Sequence, residues 1–346
     1  MEKTITLNEL KPGDIILFSV PKNSKISILI GLLTRSKVSH TGMVDVNPGY
    51  VLEEIKEGAT KSPLPSPGRT LYIRRLQNEP DTSEIVKIAM KYVDEKLPYP
   101  MSNLVLLGLY ILAGDFIPDS FGGDIIKSLL KIATYEIINL VNEKTHPGTD
   151  VPPMVCSQFA AACYDEAALT YGPEYKIRYN DEVSSVFALL KKIIDQLSED
   201  ETKVFSLEPH KSFIKSVEDA VEKAEGISDH KELAEFHSDK LIQHIESHKD
   251  DQMLLEKPSH ISDEVITAFY NYGKWFLRLF DGKTEYNDIE TDQITAGEIK
   301  EVLEELLRFQ EVFVTPGDLF NHTENLMDMG ILTYTDTELA KYLVEN

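Results

Sequence analysis

The amino-acid sequence predicts an α+β protein with a mostly helical second part, and three observations lead to this prediction. The first 76 residues contain short apolar runs of strand length that are separated by turn residues. Helical periodicity begins near Thr82 and recurs in the segments that follow. From about Phe187 to about Leu307 the sequence is rich in Glu, Lys and Asp, with heptad-like apolar spacing and no convincing strand. At 346 residues, the chain is long enough for about two domains, or for one large domain with an insertion.

Strands are predicted where an apolar run has strand length and is bounded by turn residues. The turn Asn47-Pro48-Gly49 separates two such runs, so these two runs predict a β-hairpin. The predicted strands are Ile15 to Val20, His40 to Val46, Tyr50 to Ile55 and Leu71 to Leu76.

Helices are predicted from apolar periodicity, and Ser24 is available to cap the first of them. From Val314 onward the pattern changes again and predicts a turn, a short helix and a final strand. The predicted helices before the Glu- and Lys-rich segment are Ile26 to Leu33, Thr82 to Asp94, Leu104 to Ala113, Ile125 to Val141 and Cys156 to Ala168.

The charge of the chain excludes some classes of partner. It has 58 acidic and 35 basic residues, which gives a formal net charge of −23. A surface this acidic repels phosphate backbones and anionic lipid headgroups, so nucleic-acid binding is not expected. Met1 to Leu10 has no apolar signal-peptide core, and no apolar run approaches the roughly 20 residues that span a bilayer. The expectation is a soluble, cytoplasmic protein without a transmembrane segment.

The chain has two cysteines, and Cys156 is the candidate nucleophile. A proline-rich loop leads into an apolar helix that begins at Cys156, and the positive end of a helix dipole favours a thiolate. The alternative role is that of a small buried core residue, which Cys163 fits because it lies mid-helix among alanines. Seven helical residues span about 10 Å, too far for a disulfide, so both thiols are expected to be reduced.

A catalytic cysteine also needs a base, and His40 is the candidate. It opens a predicted strand between small residues, which leave the imidazole room to meet another side chain. Glu53, on the partner strand of the predicted hairpin, could fix the imidazole tautomer and stabilise its charged form. Taken alone, His40 would be better explained as a hydrogen-bonded structural histidine, and Glu53 as a solvated strand residue.

Five short motifs occur in a particular order: Gly13-Asp14-Ile15-Ile16, Ser39-His40-Thr41-Gly42, Val51-Leu52-Glu53, Leu97-Pro98-Tyr99 and Cys156-Ser157-Gln158-Phe159. In this order they resemble the circularly permuted branch of the NlpC/P60 papain-like superfamily, the YiiX-like group, which is related to lecithin:retinol acyltransferase-like proteins. In that branch the histidine strand precedes the cysteine helix, as it does here. Thr315-Pro316-Gly317-Asp318-Leu319, with Asn325-Leu326 and Gly330, resembles the closing segment of the same domain.

The resemblance implies a permuted papain-like domain with an antiparallel sheet and packed helices. It would be formed by residues 1–190 and 308–346, with a mostly helical insertion at 191–307. It also implies Cys156 as nucleophile, His40 as general base and Glu53 as the orienting acid. Glu54 replaces Glu53 if the hairpin register slips by one residue.

Residues around this triad depart from the family pattern in two places. The chain has Gln158 where the family often has Glu, and Pro100 where the family often has Asp after Tyr99. Both departures leave the triad intact, but they put the roles of neighbouring positions in question. Tyr99 and Ser157 remain candidates for the oxyanion site or the substrate cleft.

A triad of this kind carries out acyl transfer without a metal or organic cofactor. The first hypothesis is a thiol amidase or peptidase that acts on peptides or N-acyl amino acids. The second is a lipid-directed hydrolase or acyltransferase, in which Leu104 to Ala113, with Phe116 and Ile117, lines an acyl cleft or forms a lid. The third is a non-catalytic protein that binds a protein partner through its helical insertion.

A metal site receives little support from the sequence. His244 and His248 form an i, i+4 pair, and His230 and His237 recur at helical spacing. However, the chain has no His-Glu-x-x-His pattern, and the Asp and Lys neighbours favour a solvated helix face. The expectation is that the protein binds no metal.

Overall fold

The computed structural model describes most of the chain, in segments that leave gaps between them. The described residues are 3–22, 24, 27, 28, 30, 31, 34, 36–55, 58–65, 67–77, 80–95, 120–143, 155–180, 185–208, 210–224, 226–229, 232, 233, 236, 237, 239, 240, 243, 260–281, 293–309 and 313–343.

The strands form a seven-stranded sheet and a separate two-stranded sheet. In chain order the strands are β1 (Thr4–Thr6), β2 (Ile15–Ser19), β3 (Val38–Val44), β4 (Tyr50–Ile55), β5 (Gly58–Pro63), β6 (Leu71–Leu76), β7 (Val204–Ser206), β8 (Gln293–Thr295) and β9 (Leu326–Thr333).

The α-helices whose bounds the structure describes all come after β6 in the sequence. In chain order they are α1 (Ser83–Asp94), α2 (Ser120–Glu143), α3 (Cys156–Tyr171), α4 (Ser185–Ser198), α5 (His210–Lys223), α6 (Asp263–Asp281), α7 (Ala296–Leu306), α8 (Pro316–Asn321) and α9 (Asp336–Leu343). Two short 3₁₀ helices lie at Leu7–Glu9 and Pro173–Tyr175. Sheet and helices together confirm the predicted α+β class.

The chain divides into two compact units. The first contains Met1–Pro100, Pro153–Ser184 and Gln310–Asn346, and the second contains Met101–Pro152 and Ser185–Phe309. The sequence analysis expected the corresponding boundaries at residues 190 and 308, whereas the units change at Ser184 and Gln310. In contrast, Met101–Pro152, which the sequence assigned to the catalytic domain, groups with the helical unit.

The first unit is built on the seven-stranded sheet, with strand order β1-β9-β6-β2-β3-β4-β5. All neighbours are antiparallel except β1 and β9, which pair in parallel. The predicted hairpin is present as β3 and β4, with Met43 opposite Leu52. Because β9 lies between β1 and β6, the end of the chain completes a sheet that its first residues begin.

Helix α3 packs against β3, β4 and α1 and brings its N-terminus to the sheet. The helix is buried along most of its length, and Phe159, Cys163 and Tyr164 are inaccessible to solvent. The Tyr164 hydroxyl donates to the Gly13 carbonyl oxygen at 2.6 Å, in the segment that precedes β2. This bond and the apolar burial fix the start of α3 relative to the first strands of the sheet.

The second unit is mainly helical, with α2 packed on α6 and α7 packed on both α4 and α6. Its core includes the inaccessible side chains of Phe269, Leu277 and Leu303. The prediction that this part of the chain contains no strand is wrong, because β7 and β8 pair as a short antiparallel ribbon. Strands of three residues give too short an alternation to be recognised in sequence.

The end of the chain follows the predicted order of turn, short helix and strand, with one difference. Helix α8 and strand β9 are present, but β9 is not the last element, since α9 follows it. Leu339 of α9 is buried against the core on one face of the sheet, so this helix contributes to the first unit.

Candidate active site

His40 lies near the beginning of β3, at the end of the sheet where β2 finishes. Its backbone pairs with Phe18, and a register shift follows between Phe18 and Ser19. The Phe18 ring lies 5.0 Å from the imidazole centroid and packs against it at a tilt. The His40 side chain remains 21% exposed, so the imidazole is supported on one side and accessible on the other.

Glu53 holds the imidazole from the neighbouring strand. His40 Nε2 and Glu53 Oε2 are 2.6 Å apart, a short charge-assisted contact. Glu53 lies directly opposite Gly42 in the β3–β4 ladder, so His40 and Glu53 are diagonal neighbours on one face. Gly42 is required here because a Cβ at this position would come within 2.4 Å of Val51 Cγ2.

Cys156 is the first residue of α3, as the sequence predicted. The preceding residue, Val155, is extended, and its backbone N–H donates to Oε1 of Gln158 at 3.0 Å. A glutamine side chain can cap the helix start in this way, which gives Gln158 a structural role. The Cys156 side chain is 3% exposed.

Cys156 lies close enough to His40 to raise the pKa of its imidazole. Because Nε2 is engaged by Glu53, Nδ1 is the ring nitrogen that remains for the sulfur. The structure therefore brings Cys156, His40 and Glu53 close to one another, although they lie on three different elements.

The charges of this group favour a protonated imidazole. Burial alone would lower the pKa of His40, but the neighbouring Cys156 and Glu53 outweigh it and raise that pKa to about 9. Burial would raise the pKa of Glu53, but hydrogen bonds from His40 and Ser62 and the charge of Arg69 hold it below its usual value. An imidazolium between a sulfur and a carboxylate is thus the favoured state near neutral pH.

Glu54, the alternative acid, points to the other face of β4. Consecutive strand residues alternate faces, so the observed register selects Glu53 for the contact with His40. Glu54 is inaccessible to solvent, and neither of its oxygens has a hydrogen-bond partner among the described residues. Burial, with a smaller contribution from Cys156, raises the pKa of this carboxyl to about 9, so it is neutral at pH 7.

Ser157 and Tyr99 were the candidates for the oxyanion site or cleft. The Ser157 side chain is fully buried, and its hydroxyl donates to the Val314 carbonyl oxygen at 2.6 Å. This hydroxyl therefore joins α3 to the segment before α8 and does not face the cleft. Tyr99 lies outside the described residues.

Arg69 is a neighbour of the site that the sequence analysis did not identify. Its Nε donates to the Ser19 carbonyl oxygen at 2.9 Å, and its guanidinium carbon lies 5.0 Å from the centroid of the Phe18 ring. Its charge interacts with those of Glu53 and Cys156. The only signal in the sequence is one basic residue after the Pro67-Gly68 turn, which has no motif to distinguish it.

The remaining candidates contribute nothing to this site. Cys163 is buried and reduced, like Cys156, and burial raises its pKa well above the ordinary range. His237 is described, whereas His230, His244 and His248 are outside the described residues. Within the part of the chain that the structure describes, no group of His, Cys, Asp or Glu residues is arranged to hold a metal ion.

The apolar run Leu104 to Ala113, with Phe116 and Ile117, also lies outside the described residues. In the described helices, none combines the length and the apolar character that crossing a bilayer requires. Comparison of the sequence with models of known protein families gives no match, and comparison with curated proteins gives none either.

Proposed function

We propose that this protein is a cysteine hydrolase that cleaves amide bonds in peptides or N-acyl amino acids. The observation that carries the proposal is that His40, paired with Glu53, lies close enough to Cys156 for the two groups to interact. A thiol at a helix N-terminus, an imidazole beside it and a carboxylate that orients the imidazole are the three parts of a nucleophilic triad.

In the acylation step, the Cys156 sulfur attacks the carbonyl carbon of the scissile amide. The imidazolium of His40, protonated near neutral pH, gives its proton to the leaving nitrogen as the carbon–nitrogen bond breaks. Glu53 keeps the ring in the orientation that directs Nδ1 to the reaction, and it stabilises the charged ring before the transfer. The products of this step are a free amine and a thioester on Cys156.

In the deacylation step, the neutral imidazole takes a proton from a water molecule, which attacks the thioester and releases the acid. The developing oxyanion would accept hydrogen bonds from the backbone N–H groups at the start of α3. These groups are suited to that role because the first N–H groups of a helix have no intrahelical partner. Neither step needs a metal ion or an organic cofactor.

The arrangement of the chain supports a circularly permuted papain-like domain of the NlpC/P60 superfamily. The histidine strand precedes the cysteine helix, and β9 near the end of the chain returns to the same sheet. The helical unit would then be inserted into this domain, and a protein partner could bind through it. The family assignment remains part of the proposal.

Turnover by purified full-length protein tests the proposed function. We expect hydrolysis of short peptides or N-acyl amino acids by the wild-type protein and by Cys163→Ala, the matched control, but not by Cys156→Ala. Full activity of Cys156→Ala would contradict the proposal. Cleavage of acyl esters alone, with a rate that increases with acyl length, would favour the lipid-directed alternative.

A further inference from the structure

The guanidinium of Arg69 lies at the candidate active site, where it forms no ion pair with any residue that the structure describes. Among the described residues, its contacts are the Ser19 carbonyl oxygen and the Phe18 ring, and no carboxylate oxygen lies within 4.0 Å of it. Other arginines of the first unit differ in this respect. Arg74 is paired with Asp328 at 2.6 Å, and Arg75 with Asp14 at 2.6 Å.

The position of Arg69 is fixed by the same residues that support the catalytic base. The Phe18 ring contacts both groups, since its centroid lies 5.0 Å from the guanidinium carbon and 5.0 Å from the His40 centroid. The Ser19 carbonyl holds Nε, and the Ser19 N–H donates to the Thr70 carbonyl oxygen at 2.9 Å. Stacking on an aromatic ring and one fixed nitrogen restrict the orientation of the guanidinium.

The remaining donors of Arg69 suit a carboxylate. With Nε bonded to Ser19, the two terminal nitrogens are left as a planar pair without a described partner. A carboxylate accepts two parallel hydrogen bonds from such a pair, and the bond is stronger in a partly buried site than in water. A single guanidinium with Glu53 nearby would neutralise a monoanion better than a doubly charged phosphate.

We propose that Arg69 is a specificity-determining residue that binds a carboxylate of the substrate. The substrate class, which rests on the proposed function, then narrows to amides with a free carboxylate near the scissile bond, such as N-acyl amino acids and peptides cleaved near their C-terminus. The formal charge of the whole chain, −23, repels such anions, so a local cation is needed to hold them next to Cys156.

Two measurements test this inference separately from catalysis. In the first, kcat/KM is compared for an N-acyl amino acid and for its C-terminal primary amide, which differ in the carboxylate. We expect the wild-type protein to prefer the acid by about 10- to 100-fold, the range for a hydrogen-bonded charge pair. Arg69→Met should remove the preference mainly through KM, and Arg69→Lys should retain part of it. Equal kcat/KM values for the acid and the amide, or a preference for the acid that persists in Arg69→Met, would overturn the inference. Neither result would contradict the proposed hydrolase function.

The second measurement is binding without turnover. Titration calorimetry with Cys156→Ala should show tighter binding of the N-acyl amino acid than of its amide, and the difference should be absent when Arg69→Met is added. Arg178→Met is the matched control, because Arg178 belongs to an exposed pair with Glu324 and should leave the difference unchanged. If Arg69→Met does not fold, as judged by circular dichroism, Arg69→Lys still provides a test, because lysine keeps the positive charge but lacks the planar pair of terminal nitrogens. Equal binding of acid and amide to Cys156→Ala would overturn the inference whether or not the protein proves to be a hydrolase.

Discussion

His40 Nε2 lies 2.6 Å from Glu53 Oε2, across two neighbouring antiparallel strands, whereas the adjacent Glu54 points to the opposite face. A shift of the strand register by one residue would turn Glu54 instead of Glu53 to this face, so the register determines which glutamate contacts the imidazole. Glu53 is charged and paired, and Glu54 is buried and neutral, so the two carboxyl groups should respond differently to the same substitution.

Glu53→Gln should impair the site more than Glu54→Gln. The amide keeps the shape of Glu53 but removes the charge that holds the imidazolium, so we expect kcat/KM to fall by about 100-fold. The pKa of His40 should also fall from its value of about 9, which NMR titration of the imidazole protons measures. Glu54→Gln is the control and should leave the His40 titration nearly unchanged. Equal effects of the two substitutions would show that the register does not select the acid.

The free energy of unfolding should decrease as the pH rises from neutral to about 9. Both His40 and Glu54 have a folded-state pKa raised to about 9, above the ordinary values of 6.5 and 4.5. A raised folded-state pKa gives stabilisation that is complete below the ordinary value and is lost as the pH rises through the folded value. For His40 the window is pH 6.5 to 9, and for Glu54 it is pH 4.5 to 9.

Glu54→Gln isolates the second of these contributions, because glutamine does not titrate. Urea unfolding at pH 5 and at pH 9 should show a smaller loss of stability in Glu54→Gln than in the wild-type protein, by about 1 kcal/mol or more. His40→Ala should reduce the loss only above pH 6.5. A wild-type stability that rises steadily from pH 5 to pH 9 would contradict the burial and neutrality of Glu54.

Ser157→Ala should reduce stability with little effect on turnover. The substitution leaves the buried Val314 carbonyl without the 2.6 Å hydrogen bond from the serine hydroxyl. An unsatisfied buried group costs about 1–3 kcal/mol, which thermal unfolding would detect. Activity per folded molecule should remain, since the hydroxyl does not face the cleft. A large fall in kcat with unchanged stability would instead return Ser157 to the oxyanion site.

Much of the fold and the candidate triad could be predicted from local patterns in the sequence. The β3–β4 hairpin, the strand at Leu71–Leu76 and the helix that begins at Cys156 all have turn or cap signals at their ends. The three candidate residues of the triad were proposed because their motifs occur in one order. Local patterns were sufficient where a feature depends on residues that are close in sequence.

The remaining features depend on contacts between distant parts of the chain. Ser157 was a candidate for the oxyanion site or the cleft. Its actual hydrogen-bond partner, Val314, lies 157 residues away, so local sequence patterns could not reveal the bond. Arg69 was missed because it reaches the site only through tertiary packing, with its guanidinium and the His40 imidazole both against the Phe18 ring. The ribbon of β7 and β8 pairs Phe205 with Ile294. These residues are far apart in the sequence, and the alternation within a single strand does not reveal its partner.

The most direct test of the account is the rate at which iodoacetamide alkylates Cys156 as a function of pH. The Cys163→Ser protein provides a single thiol, and His40→Ala in the same background is the comparison. If the imidazolium of His40 activates the sulfur, alkylation should already be substantial near pH 6, far below the value of about 8.5 at which a free cysteine ionises. The His40→Ala variant should lose that reactivity. A rate that rises only near pH 8.5, and equally in both proteins, would contradict the triad of Cys156, His40 and Glu53.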